Sequence, residues 1–79
     1  MSDEPDAETM RRFERAVANL PRIQRDIFLA KCRDGRTYAE IAARTRMTRK
    51  GVQKQLARAL HNIRRQMDGE RLRWWERWF

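Results

Sequence analysis

Apolar residues recur along this chain at steps of three and four. Val52, Leu56, Leu60, Ile63 and Met67 fall on one face of a helix predicted over residues 49–67. Tyr38, Ile41 and Ala42 mark a shorter helix over 38–44, and a brief break at Thr45-Arg46-Met47 separates the two. Met10, Phe13, Val17 and Leu20 form the stripe of a first helix over 7–19. A second helix runs from Pro21 to Lys31 or Cys32, with Ile23, Ile27, Phe28 and either Ala30 or the Lys31 stem facing inward, and Arg22, Arg25 and Asp26 facing water. The pattern predicts an all-α fold of four helices.

The polar positions between these stripes supply the punctuation. Asp6 suits a cap for the first helix, and Glu8 near its start suits the helix dipole. Pro21 fits a first helical turn, where its missing N–H has no intrahelical partner. Asp34-Gly35 supplies a turn with a left-handed position. Thr37 caps the third helix, and Glu40 completes a capping box. Ala39, Ala42 and Ala43 are small enough to let the next helix approach closely, as two helices crossing steeply through a short turn require. Thr48 caps the fourth helix, whose first turn contains Gly51. That glycine costs about 1 kcal/mol in helix propensity relative to alanine, against which it allows close approach to a phosphate or a neighbouring helix. Asp68-Gly69 ends the helix.

Charge sharpens the picture. Residues 1–8 hold four acids (Asp3, Glu4, Asp6, Glu8) and no base, whereas residues 44–67 hold eight bases (Arg44, Arg46, Arg49, Lys50, Lys54, Arg58, Arg64, Arg65) and no acid. The formal net charge is +8. A small, strongly basic domain has a polyanion as its natural partner. Two helices joined by a tight turn, the second cationic, have the sequence form of a helix-turn-helix that binds double-stranded DNA. The first two turns of such a second helix enter the major groove. Arg49, Lys50 and Gln53 are therefore expected to contact bases, and Lys54 a base or a phosphate. Arg and Lys bond guanine O6 and N7; Gln pairs with adenine N6 and N7. Phosphate contacts are expected from Arg36, Thr37, Arg46, Thr48 and Arg58, with help from N–H groups at helix starts. The alternative is a solvated charged face.

Composition excludes other classes. The chain has 79 residues, enough for one small domain that buries roughly 60–65% of its unfolded surface. No stretch reaches the roughly 20 apolar residues of a membrane span, and the acidic start is unlike a secretory leader. A single cysteine, Cys32, allows no internal disulfide and reads as a small buried hydrophobe. The expected location is the cytoplasm. His61 is the only histidine and lies far along the basic helix; no nucleophile has a histidine near it, and no glycine-rich phosphate loop occurs. No enzyme, metal site or cofactor is expected.

The expected organisation is a disordered acidic lead (1–6), the helical domain (7–68) and a Trp-rich tail (69–79). In the tail, ERLRWWERWF, Leu72, Trp75, Trp78 and Phe79 fall on one side of a short helix. The readings open for it are folding back onto a small core, protein docking through Trp74, Trp75, Trp78 and Phe79, membrane-surface attachment, or base stacking.

An ordered set of residues also resembles a known family. Leu20-Pro21, Gln24-Arg25, Phe28-Leu29, Gly35, Tyr38-Ala39-Glu40-Ile41-Ala42, Met47-Thr48, Val52, Leu56 and Ala57-Arg58-Ala59-Leu60 resemble region 4 of bacterial sigma-70 factors, closest to the extracytoplasmic-function group. The resemblance covers residues 13–67. It implies a four-helix domain with a C-terminal helix-turn-helix, winged-helix-like or of sigma region 4 type. Its last helix would read the promoter −35 element, and its surface would hold the β-subunit flap of RNA polymerase or an anti-sigma factor. Three positions depart from the family pattern: Arg46 replaces the turn glycine, Thr45 a leucine, and Gly51 a helix former. Nothing resembles region 2, so the chain reads as a region-4-only relative or else as a fragment of a longer chain. Two alternatives share some features: a docking module with little DNA binding, and a LuxR-like output domain, which has the same Ala-Glu-Ile-Ala core.

Overall fold

A computed structural model describes residues 6–67; the expectations for the acidic lead before Asp6, the Asp68-Gly69 stop and the Trp-rich tail lie outside the described residues. Four helices follow one another: α1 (Ala7–Ala18), α2 (Arg22–Cys32), α3 (Tyr38–Thr45) and α4 (Arg49–Gln66). No strand occurs among the described residues, so nothing there corresponds to the wing of a winged helix.

Each start has its local cause. Asp6 accepts a hydrogen bond from the Thr9 N–H at 2.7 Å, and this bond holds its carboxyl below the usual carboxylate range. Pro21 stands one position before α2 rather than inside it, at φ −52° and ψ 146°. The extended ψ is what keeps it out of the helix. Thr37 and Glu40 form the expected capping box: Thr37 Oγ1 accepts from the Glu40 N–H at 3.1 Å, and Glu40 Oε1 accepts from the Thr37 N–H at 3.2 Å. Gly35 takes φ +65°, the left-handed turn expected there.

The 18-residue α4 is roughly 27 Å long at 1.5 Å per residue. It is the spine of the domain, because it packs against each of the other three helices. Val52, Ala59, Ile63 and Met67 are fully buried along it and Leu56 nearly so, while Leu60 sits at the edge of the core. Facing them are Phe13, Ala16, Val17, Leu20, Ile27, Phe28 and Ile41. The Phe13 and Phe28 rings meet edge-on with centroids 6.0 Å apart, a geometry that adds about 0.5–1.5 kcal/mol beyond area burial. Among the described residues no polar or charged residue is buried.

Three packing expectations need correction. Ile23 points outward and is 38% exposed. The Ile27–Phe28 pair turns α2 so that Ile23 falls outside the seam with α4. Arg25 is half-buried rather than in water, for the same reason. Of the three small residues on α3, only Ala42 is buried; Ala39 and Ala43 are exposed. Ala42 alone gives the close approach.

Polar contacts pin the helices at their ends. Asn62 Nδ2 donates to Gln24 Oε1 at 2.8 Å, tying α4 to α2. Gln66 Nε2 donates to the Ala16 carbonyl at 3.3 Å, tying the end of α4 to α1. Lys31 Nζ lies 4.7 Å from the Tyr38 ring centroid, bridging α2 and α3.

Candidate nucleic-acid interface

Only three residues, Arg46, Met47 and Thr48, lie between α3 and α4. Reversing a helix in so short a turn needs a left-handed residue, and Arg46 supplies it at φ 58° and ψ 32°. Its N–H and that of Met47 both donate to the Ala42 carbonyl, the latter at 3.1 Å. Thr45 joins in: its hydroxyl donates to the Ile41 carbonyl at 2.7 Å. That bond satisfies a polar side chain at a half-buried position.

Thr48 then opens α4. Its Oγ1 accepts from the Gly51 N–H at 3.0 Å. A Cβ at Gly51 would lie 3.2 Å from Thr48 Oγ1 and 3.3 Å from Met47 Cε. The close approach that this glycine permits is therefore to its own cap, within the turn.

The four candidate base-reading residues, Arg49, Lys50, Gln53 and Lys54, are all exposed on the first two turns of α4. At 100° per residue, Lys50 and Lys54 stand opposite Val52, while Arg49 and Gln53 stand at its flank. The phosphate candidates form two groups. Arg46 and Thr48 lie at the turn; Arg36 and Thr37 lie at the other end of α3, roughly 12 Å away along an eight-residue helix. Thr37 and Thr48 each use the hydroxyl oxygen as a cap acceptor, which leaves the hydroxyl hydrogen to donate to a phosphate oxygen.

Arg36 is the most encumbered candidate. Its Nη1 lies 3.8 Å from Glu40 Oε2, and its Nε is shut off from solvent with no hydrogen-bond partner among the described residues. Glu40 is held below the usual range, first by the Thr37 backbone N–H and last by Arg36. Arg58 lies farther along α4, on a groove of about 400 Å³ lined by Gln24, Lys54, Ala57, Arg58, His61 and Asn62. Sequence patterning does not find this groove, because Gln24 meets Asn62 across 38 positions of chain. Nor does it find the outward Ile23. Trp74, Trp75, Trp78 and Phe79 lie outside the described residues.

Cys32 is half-buried, and burial pushes its thiol up to about 12. It is a proton-bearing packing residue. Among the described residues no group of histidine, cysteine and carboxylate side chains is placed to hold a metal, and no helix is long and apolar enough to cross a membrane.

Four helices, a three-residue turn and an acid-free cationic face on α4 define a DNA-binding helix-turn-helix domain. The family described as Sigma-70, region 4 matches residues 10–63, and the chain belongs to it. Its role is therefore of the sigma-factor type, in transcription. That match, which runs from α1 into the last turns of α4, decides against the LuxR-like alternative. No curated protein and no solved structure matches the chain.

Proposed function

We propose that this chain reads promoter −35-like duplex DNA in the bacterial cytoplasm by laying the first two turns of α4 in the major groove. The observation that carries this reading is the exposed Arg49-Lys50-Gln53-Lys54 face, set directly after the short turn with no acid from residue 44 to 67. Arg49, Lys50 and Gln53 bond base edges, and Lys54 bonds a base or the backbone. Thr37, Thr48, Arg46 and Arg58 grip phosphates, with Arg36 joining once it is drawn off Glu40. Specificity then lies in three or four side chains, and most of the affinity is electrostatic.

Selection of preferred duplexes from a random DNA pool, with and without polymerase core, tests the reading. An enriched short motif that Gln53→Ala relaxes at one base position is expected, with a loss of about 1–3 kcal/mol on the preferred site. Equal loss on every sequence would reduce Gln53 to a backbone contact. No enrichment under either condition would remove the function.

A second reading is favoured by Ile23, the exposed large hydrophobic residue among those described. In it the domain docks on the polymerase flap or an anti-sigma protein and contacts DNA little. On the same reading the Trp-rich tail 69–79 docks through Trp74, Trp75, Trp78 and Phe79. Separate binding measurements with duplex DNA and with an isolated flap fragment divide the two readings.

A further inference from the structure

Arg46 is the non-glycine residue with positive φ among those described. An L-residue in the left-handed region brings its Cβ against the following carbonyl, a strain that glycine does not have. The fold takes nothing from the Arg46 side chain in return. The turn is made by backbone atoms, since the N–H groups of Arg46 and Met47 both reach the Ala42 carbonyl. The side chain is exposed, and no carboxylate pairs with it among the described residues. A strained residue with no internal partner points to a ligand outside the chain.

Its position says which ligand. Arg46 stands two residues before the α4 cap, between exposed Arg44 on one side and exposed Arg49 and Lys50 on the other. An α4 seated in a major groove brings the preceding turn to the groove's edge, where the DNA backbone runs. A guanidinium there meets a phosphodiester, whose paired oxygens match its planar fork.

We propose that Arg46 occupies the place suited to glycine because it clamps a DNA phosphate at the turn, fixing how α4 sits in the groove at the expense of folded-state stability. This rests on the DNA-reading function above and adds a consequence that function alone does not require. Stability and affinity should move in opposite directions at this one position.

The test uses the full chain with Arg46→Gly and Arg46→Lys. Thermal melts are paired with binding to the preferred duplex and to an unrelated one across a salt series. Arg46→Gly should melt about 4 °C or more above the wild type, the shift expected for relief of modest strain in a domain this small. It should bind both duplexes roughly 5–10-fold more weakly near 0.1 M salt, and its slope of log affinity against log salt should fall by about 0.9, the share of one phosphate. Arg46→Lys should keep the wild-type slope and the wild-type melting point. If Arg46→Gly keeps the full slope while the wild type binds DNA, the clamp is wrong and the DNA-reading function stands. If Arg46→Gly melts lower than the wild type, the turn needs the arginine for folding and the trade is refuted. A wild type that binds neither duplex at low salt takes down the DNA-reading function and the clamp with it.

Discussion

At the scale of single residues, the caps do two jobs. Thr48 Oγ1 satisfies the Gly51 N–H, so Thr48→Ala should lower stability by about 1 kcal/mol in urea melts. It should also weaken DNA binding without changing base preference. Thr48→Ser, which keeps the hydroxyl, should restore both. Gly51→Ala sets two effects of similar size against each other. Alanine gains up to about 1 kcal/mol of helix propensity, but its Cβ would press on Thr48 Oγ1 and Met47 Cε at 3.2 and 3.3 Å. The methionine end can swing away, whereas the cap oxygen cannot move without loosening its bond. We expect a net change within about 0.5 kcal/mol; a full 1 kcal/mol gain in the melts would show that the cap tolerates the crowding. Cys32 gives a pH signature. Its folded thiol holds the proton up to about 12 against 9.0 for an ordinary cysteine, so in that window the unfolded chain loses the proton first. Stability from this group is present below pH 9 and falls as pH rises towards 12. Cys32→Ala should remove that part of the alkaline decline, and equal slopes for the two proteins would contradict the assignment.

Among helices, α4 concentrates the energetics. A fully buried aliphatic or aromatic side chain is worth about 1.5–3 kcal/mol by area alone, and deleting one also leaves a cavity. Phe28 is 1% exposed on the α2 side of the core. Phe28→Ala should cost about 3–5 kcal/mol, against about 5 kcal/mol of total stability for a domain of this length. Circular dichroism should show loss of most helix at 37 °C; a cooperative melt near the wild-type temperature would contradict the core as described. Helix extents were legible in the sequence to within a residue or two, because caps are local. Thr37 and Glu40, three positions apart, specify the start of α3 without help from any other helix. Facing is less legible. Whether Ile23 lies inside depends on how Ile27 and Phe28 meet α4, and whether Ala39 or Ala42 makes the close approach depends on a crossing angle. The Gln24–Asn62 bond likewise joins two amides that no local pattern relates. The exposed basic face was readable because its charges recur opposite an apolar stripe on the same helix.

For the molecule as a whole, charge distribution sets behaviour. The +8 balance falls mainly on the helical domain, since the first eight residues are acidic. Duplex affinity should therefore drop steeply with salt, by roughly 0.9 log units of slope per phosphate held. Of the phosphate candidates, Arg36, Arg46 and Arg58 are cationic; these three, with Lys54 as a fourth, place the expected slope at roughly −3 to −4, because the neutral hydroxyls of Thr37 and Thr48 release no counterions. The most direct test of the central claim, that α4 enters the major groove, is an amide NMR titration of the folded chain with its preferred duplex at low salt. The account predicts the largest shifts at Thr37, from Arg46 to Lys54, and at Arg58, with the buried Ile63 and Met67 left in place. Shifts confined to the surface around Ile23, or none with any duplex while polymerase fragments still produce them, would contradict it.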